Sequence, residues 1–195
     1  MTDLETAATT GARRGRLPGD IHIWVFVLAD LLSFAYYFVV FMIYRAEHTE
    51  VFLASQRHLD MTLATVNTLV LLASSRAVAQ ALRAARDDDH ERAVRLVTHA
   101  GLCGVLFVVI KVAEWIIEIR AGYTLPRNDF FMFYFTLTGV HLFHVLGGLL
   151  VLTLMVRELR EPSLRRPAMV ETGAIYWHMV DLIWVVLFAL IYLMR

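Results

Sequence analysis

Five apolar runs organise this chain. Hydrophobic residues dominate from about Ile21 to Tyr44, Leu63 to Leu82, Gly101 to Ile119, Phe130 to Val156 and Ala174 to Leu193. At 1.5 Å of rise per residue, each run reaches roughly the 20 residues that a helix needs to cross a bilayer. The second run is the most diluted, by Ser74-Ser75-Arg76 and Gln80, and taken alone it also fits an amphipathic surface helix. The connections are short and leave no soluble domain. The pattern predicts an all-α integral membrane bundle of five transmembrane helices. It forms one domain over 21–195, preceded by a flexible, polar, cytoplasmic segment over 1–20.

The basic residues orient the bundle. Arg13, Arg14 and Arg16 precede the first run, Arg83, Arg86, Arg92 and Arg95 fall in the second loop, and Arg157, Arg160, Arg165 and Arg166 fall in the fourth. Those eleven share one side of an alternating topology, against five (Arg45, Arg57, Arg120, Arg127 and Arg195) on the other. Basic loops stay in the cytoplasm, so the N-terminus is expected inside and the C-terminus outside. Only an odd number of spans keeps this alternation, which retains the second helix. Asp87-Asp88-Asp89 reads as a solvated turn between flanking arginines.

Composition agrees with the pattern. Of the 195 residues 58% are hydrophobic, and the mean hydropathy is +0.60. The net charge of +0 offers no field for nucleic acid. The one cysteine, Cys103, has no intrachain partner and supports neither a disulfide nor a thiolate-held cluster. The first 20 residues lack the apolar core of a cleaved signal peptide.

The polar residues inside the runs carry the candidate chemistry. The closing run holds His178 and Asp181, three apart on one helix face. A carboxylate at the centre of a membrane helix costs about 2.5–3.5 kcal/mol on insertion scales, so something must offset it. Asp30 in the first run and Arg76 in the second lie roughly 10–14 Å from the same surface at helical rise, and they are expected to pair, directly or through one other group. Lys111 and Glu114 are three apart and are expected to pair within the third helix, with Glu118 continuing that face. Asn67 reads as interhelical glue through its amide. His141 and His144, with His178 and Asp181, contain the residue types of a metal site, but the spacing is a weak signal and no metal or haem site is expected in this chain. Gly139, Gly147 and Gly148 point to close helix packing, and Trp177 and Trp184, seven apart, to a packing stripe.

As a set these residues resemble one family. Glu171-Thr-Gly-Ala-Ile-Tyr176-Trp-His178-Met-Val-Asp181-Leu-Ile-Trp184 resembles the closing helix of subunit III of the haem–copper oxidases, E-x-G-x-x-Y-W-H-x-V-D-x-x-W. Thr138-Gly139-Val140-His141-Leu142-Phe143-His144-Val145 is similar to its T-G-x-H-x-x-H-V. Phe107 through Glu114-Trp115 is similar to F-x-x-x-Q-x-x-E-Y, and Asn67-Thr68 with Leu71-Leu72-Ala73-Ser74-Ser75 to N-T-x-x-L-L-x-S-S. Trp24 through Phe34 resembles the helix with an intramembrane acid, and the likeness covers about residues 17–195.

There are departures. Asp30 after Ala29 stands where Glu after Ser is usual, Lys111 where Gln is usual, and Leu142 where Gly is usual. The two extra N-terminal helices of the longest members are absent. With Arg45, Phe52, Gln56, Leu59 and the Asn128-Asp129-Phe130 turn, these choices look most like the NorE-type branch, which is associated with nitric oxide reductase.

The resemblance implies a non-catalytic accessory subunit in a bacterial cytoplasmic membrane, without haem or copper of its own. Haem with copper or non-haem iron would sit in a catalytic partner subunit, and phospholipid would lie between the helices. The implied roles are assembly, lipid binding and support of proton uptake or turnover. An ordinary subunit III of a cytochrome c or quinol oxidase is the alternative. A small proton or ion carrier using Asp30, Arg76, Glu114 and Asp181 is the reading from another class, and a redox enzyme using His141, His144 and His178 is a third. If His178 and Asp181 belong to an inner-leaflet polar layer that locks the helices, Asp181→Leu is expected to impair assembly with a partner before it impairs turnover. Normal assembly with reduced turnover would sink that view.

Overall fold

The computed structural model describes residues 21–161 and 167–194. The lead-in over 1–20, with Arg13, Arg14 and Arg16, lies outside the described residues, as do Arg165, Arg166 and Arg195. Among the described residues there are six helices: α1 (Ile21–Glu47), α2 (Thr49–Gln56), α3 (Met61–Arg86), α4 (His90–Arg120), α5 (Asp129–Arg160) and α6 (Pro167–Phe188). The last continues as a π-helical turn over Ala189–Leu193. All but α2 carry an apolar window long enough to cross a membrane.

Each long helix outruns its apolar core because polar end residues remain helical. At 31 residues α4 is about 46 Å long, against a hydrocarbon core of about 30 Å. Its ends are set by local chemistry. Asp60 caps α3 by accepting from the Thr62 and Leu63 N–H groups, at 2.8 and 3.0 Å. Asn128 caps α5 through the Phe131 N–H at 3.0 Å. The aspartate run between α3 and α4 is turn chemistry. Asp88 adopts φ 60°, the Asp89 N–H closes back on the Ala84 carbonyl at 2.9 Å, and the Asp89 side chain caps α4 through the Arg92 N–H at 3.1 Å. Gly122, at φ 84°, ends α4 in the same way, with the Tyr123 N–H on the Glu118 carbonyl at 3.0 Å.

The connection between the first two spans differs from expectation, because it contains α2. Eight residues are too few to show a helical period, and only Phe52, Ser55 and Gln56 of α2 are buried. Phe52 is fully enclosed and meets Phe41 of α1 and Phe130 of α5 edge-on, which ties α2 to the bundle.

The bundle is built around α6, which packs against α1, α3 and α5. Half of the apolar window of α6 is buried (50%), against 17% for α1, so α6 is the hub and α1 the periphery. Trp177 shows how closely the hub is fitted. Its indole is fully buried between Gly104 of α4 and Gly148 of α5. A Cβ on Gly148 would stand 2.7 Å from the ring, and one on Gly104 would stand 2.8 Å from it. Two glycines therefore form the slot that admits the largest side chain in the core.

This geometry gives opposite signs for two small substitutions. Gly148→Ala should lower the thermal midpoint of the detergent-solubilised protein, since overpacking a tight core costs about 1–3 kcal/mol. Gly101→Ala, where nothing lies within 4 Å of the added Cβ, should raise it, by up to about 1 kcal/mol of helix propensity. Equal shifts in the two variants would contradict the slot.

Candidate functional site in the polar clusters of the bundle

Near the α2 end of the bundle, α4, α5 and the π-helical turn bring four polar side chains together. Lys111 is 1% exposed and Glu114 2%. The ammonium of Lys111 has three donors and uses all three: on Glu114 Oε2 at 3.1 Å, Tyr134 OH at 3.3 Å and Tyr192 OH at 2.7 Å. Both tyrosine hydroxyls then donate to the other carboxylate oxygen, Glu114 Oε1, Tyr134 at 3.0 Å and Tyr192 more closely. The rings of Tyr134, Trp184 and Tyr192 surround the cation, with Nζ 4.6, 5.3 and 5.3 Å from their centroids. Charge, donors and acceptors close on themselves. Glu118, one turn further along α4, is also buried.

The π-helical turn sets Tyr192 in this cluster, and α2 holds that turn. Gln56 donates through Nε2 to the Ile191 and Leu190 carbonyls, at 3.0 and 3.3 Å. Its Oε1 accepts from Arg45 of α1 at 3.1 Å. Carbonyls freed where α-helical bonding ends thus find a donor from another element.

The middle of the bundle is aromatic. His141 is fully buried, stands edge-on to Phe107 at 5.8 Å and lies against Trp184 at 5.1 Å. Neither ring nitrogen has a hydrogen-bond partner among the described residues. Asn67 Nδ2 donates to the Phe107 carbonyl at 3.3 Å, joining α3 to α4. Trp184 Nε1 donates to Thr68 Oγ1 at 3.0 Å and Trp177 Nε1 to Ser74 Oγ at 3.1 Å, while Ser74 donates to the Ala100 carbonyl at 2.9 Å. These bonds stitch α6 to α3 and α3 to α4. Trp115 Nε1 on Thr138 Oγ1, at 3.2 Å, joins α4 to α5.

Beyond that layer lie two histidine pairs. His144 Nε2 stands 3.2 Å from Asp30 Oδ1, joining α5 to α1, and its Nδ1 meets the Val140 carbonyl at 2.8 Å. A carbonyl only accepts, so Nδ1 is the donor in that bond. His178 Nδ1 bonds Ser75 Oγ at 2.8 Å.

The structure thus brings Lys111 and Glu114 together and does not bring together Asp30 and Arg76. Equal depth on consecutive helices is insufficient, because α1 packs on α5 and α6 while α3 packs on α4 and α6. Asp30 turns to His144, and Arg76 is exposed with no ion pair among the described residues. Asp181 stands beside His178, as their helical spacing requires. Its Oδ2 is 3.9 Å from His178 Nδ1, and neither carboxylate oxygen has a hydrogen-bond partner among the described residues. Ser75 holds His178 in its place. His141, His144 and His178 lie in separate settings, and no three His, Cys, Asp or Glu side chains among the described residues group as metal ligands. Sequence reasoning missed Tyr134 and Tyr192, and it gave Ser75 and Gln56 only as marks of the resemblance, without their partners. A depth count could have found Tyr134, which lies five residues into α5 where Glu114 lies six from the end of α4.

Comparison with known proteins gives the relationship. The family model for cytochrome c oxidase subunit III matches residues 16–195. The chain is 28% identical over 173 residues to cytochrome c oxidase subunit 3 of Thermostichus vulcanus, covering 87% of this chain and 84% of that one. It is 26% identical over 195 residues to cytochrome c oxidase subunit 3 of Bacillus sp. (strain PS3), covering 97% and 94%. It is 30% identical over 184 residues to heme-copper oxidase subunit I+III of Aeropyrum pernix, covering 88% of this chain and 22% of that protein.

The closed Lys111 network predicts strong coupling. Lys111→Met and Glu114→Gln should each destabilise the protein by about 3–5 kcal/mol, because each leaves a buried partner uncompensated. The double variant should recover most of that loss. Thermal unfolding in detergent of the four members of the cycle measures it, and additive losses would mean that the two groups are independent.

Proposed function

The chain belongs to the cytochrome c oxidase subunit III family, and from that premise we propose that it is a non-catalytic accessory subunit of a haem–copper respiratory complex. It is a multi-pass membrane protein with five spanning helices. One observation carries the functional reading: most of the hydrogen-bonded intramembrane polar side chains join helices. The Lys111, Glu114, Tyr134 and Tyr192 network closes on itself, and the tryptophan and serine bonds link α6, α3 and α4. The apolar faces of α1 and α4, with Leu32 at 72% and Leu102 at 63% exposed, are left for lipid or a partner.

In this reading the partner is a haem-bearing subunit that holds the metal centres, with copper or non-haem iron beside its haem. The name of the Aeropyrum pernix relative joins subunits I and III in one protein, which supports a subunit I as the neighbour. Phospholipid fills the remaining grooves. The N-terminus lies in the cytoplasm, the membrane is the bacterial cytoplasmic one, and the subunit supports assembly and the proton uptake or turnover of its partner.

Asp30, Lys111 and Leu142 favour the NorE-type branch and a nitric oxide reductase core. The oxidase names of the relatives favour the second reading, an ordinary subunit III of a cytochrome c or quinol oxidase. A carrier is disfavoured by the aromatic layer of Phe107, His141 and Trp184, which stands between the two sets of polar side chains.

Purification of the tagged full chain from native membranes in mild detergent tests this. A haem-bearing membrane subunit should accompany it, and the chain separated from that subunit should hold no stoichiometric haem, iron or copper. Metal retained one-to-one by the isolated chain would overturn the accessory reading. A nitric oxide reductase core in the eluate would support the NorE-type branch, whereas an oxidase core would support the ordinary subunit.

A further inference from the structure

Arg76 and Lys111 are the two basic residues that lie inside the apolar runs, and they are met differently. Lys111 is enclosed and fully bonded, Arg45 meets Gln56, and Arg86 pairs with Glu171 at 2.9 Å. Arg76 is exposed, ten residues before the end of α3, with no ion pair among the described residues. The apolar run of α3 ends at Leu82, six residues on, so the side chain would have to span about 9 Å of helix to leave the hydrocarbon by lying along it. A guanidinium at this level facing hydrocarbon is unfavourable, so its surroundings must supply an acceptor.

The direction of Arg76 follows from its neighbours. Ser75 and Thr68 face α6, through His178 and Trp184. Asn67 and Ser74 face α4, through the Phe107 and Ala100 carbonyls. Arg76 is one residue beyond Ser75, about 100° further round and away from α4. It therefore lies on the outer side of the α3–α6 pair. On that side α6 presents an open stripe, with Leu182 53% exposed and the His178 side chain 41% exposed. Ser75 holds Nδ1 of His178, and Nε2 makes no hydrogen bond to any described residue. Two polar groups with unmet demand thus sit at one level, on adjacent helices, within an apolar surround that includes Leu69 and Leu72.

We propose that the outer face of α3 and α6, centred on Arg76 and His178, is the docking surface for a transmembrane helix of the haem-bearing partner, which presents a carboxylate at the level of Arg76. Charge complementarity selects this occupant. A single carboxylate accepts from the guanidinium and from imidazole Nε2, and Leu72 and Leu182 supply the apolar contact beside it. A lipid tail would satisfy the leucines and neither polar group. The proposal rests on the accessory-subunit reading, and it adds which face docks and what the partner brings to it.

The test uses the tagged full chain expressed with its native complex, with p-benzoylphenylalanine as the crosslinking probe. Leu182→p-benzoylphenylalanine and Leu72→p-benzoylphenylalanine should form adducts with the haem-bearing chain, and Val109→p-benzoylphenylalanine, on the open face of α4, should not. Arg76→Glu should lower the haem recovered per tagged chain by about tenfold or more, since like charges brought together at a desolvated contact repel strongly. Arg76→Lys should retain most of it. The thermal midpoint of the separated Arg76→Glu chain should match the wild type, because Arg76 holds nothing within the bundle. Adducts from Val109 alone, or Leu182 adducts with lipid alone, would overturn the docking face and leave the accessory reading standing. Undiminished haem recovery with Arg76→Glu would overturn the charge pairing and with it the proposal. Absence of any haem-bearing chain from the wild-type eluate would overturn the accessory reading itself.

Discussion

A lysine ammonium within a membrane bundle is tolerable only when all three of its N–H groups and its charge are met inside the protein. Lys111 satisfies that constraint through Glu114 and two tyrosines, and the rest of the bundle follows from it. Glu114 comes from the same helix, Tyr134 from α5 and Tyr192 from the π-helical turn after α6. Closing the network therefore fixes the relative level and rotation of three helices. The demand then passes outward. Tyr192 needs the π-helical turn, and that turn has carbonyls to which Gln56 of α2 donates while Arg45 of α1 holds Gln56. A short surface helix and the peripheral α1 are thereby connected to the buried ion pair.

The residues that make the family recognisable are largely those that join helices. In the Asn67 to Ser75 stretch, Asn67 donates to the Phe107 carbonyl, Thr68 accepts from Trp184, Ser74 accepts from Trp177, and Ser75 bonds His178. Thr138 accepts from Trp115, and Tyr176 donates to the His144 carbonyl at 3.2 Å. Hydrocarbon gives helices no solvent-driven reason to associate, so packing and directional bonds must specify the arrangement. The motif is in that sense a docking code between helices.

The five long helices were readable because membrane insertion demands long apolar runs, and a run of that length is hard to mistake. The aspartate turn was readable because Asp is both a helix cap and a residue that accepts the left-handed conformation. The helix α2 was not, since eight residues with three buried positions carry no period. The Lys111 and Glu114 contact is local to one helix, and helical spacing alone brings the two residues into reach. The Asp30 and Arg76 expectation failed for a definable reason. Residue counts give depth along a helix, but pairing also requires azimuth and adjacency, and α1 lies against α5 and α6. Depth matched to true neighbours would have led from Asp30 to His144 and from Glu114 to Tyr134.

The order of synthesis gives the lysine network a further meaning. Tyr192 follows Lys111 by 81 residues, so it leaves the ribosome after every other member of the cluster has been made. Until the final turn is inserted, Lys111 lacks one of its three acceptors and Glu114 lacks one of its donors. The π-helical turn is thus the last-made part of the network, and the Lys111 and Glu114 charges are fully met only once that turn has packed.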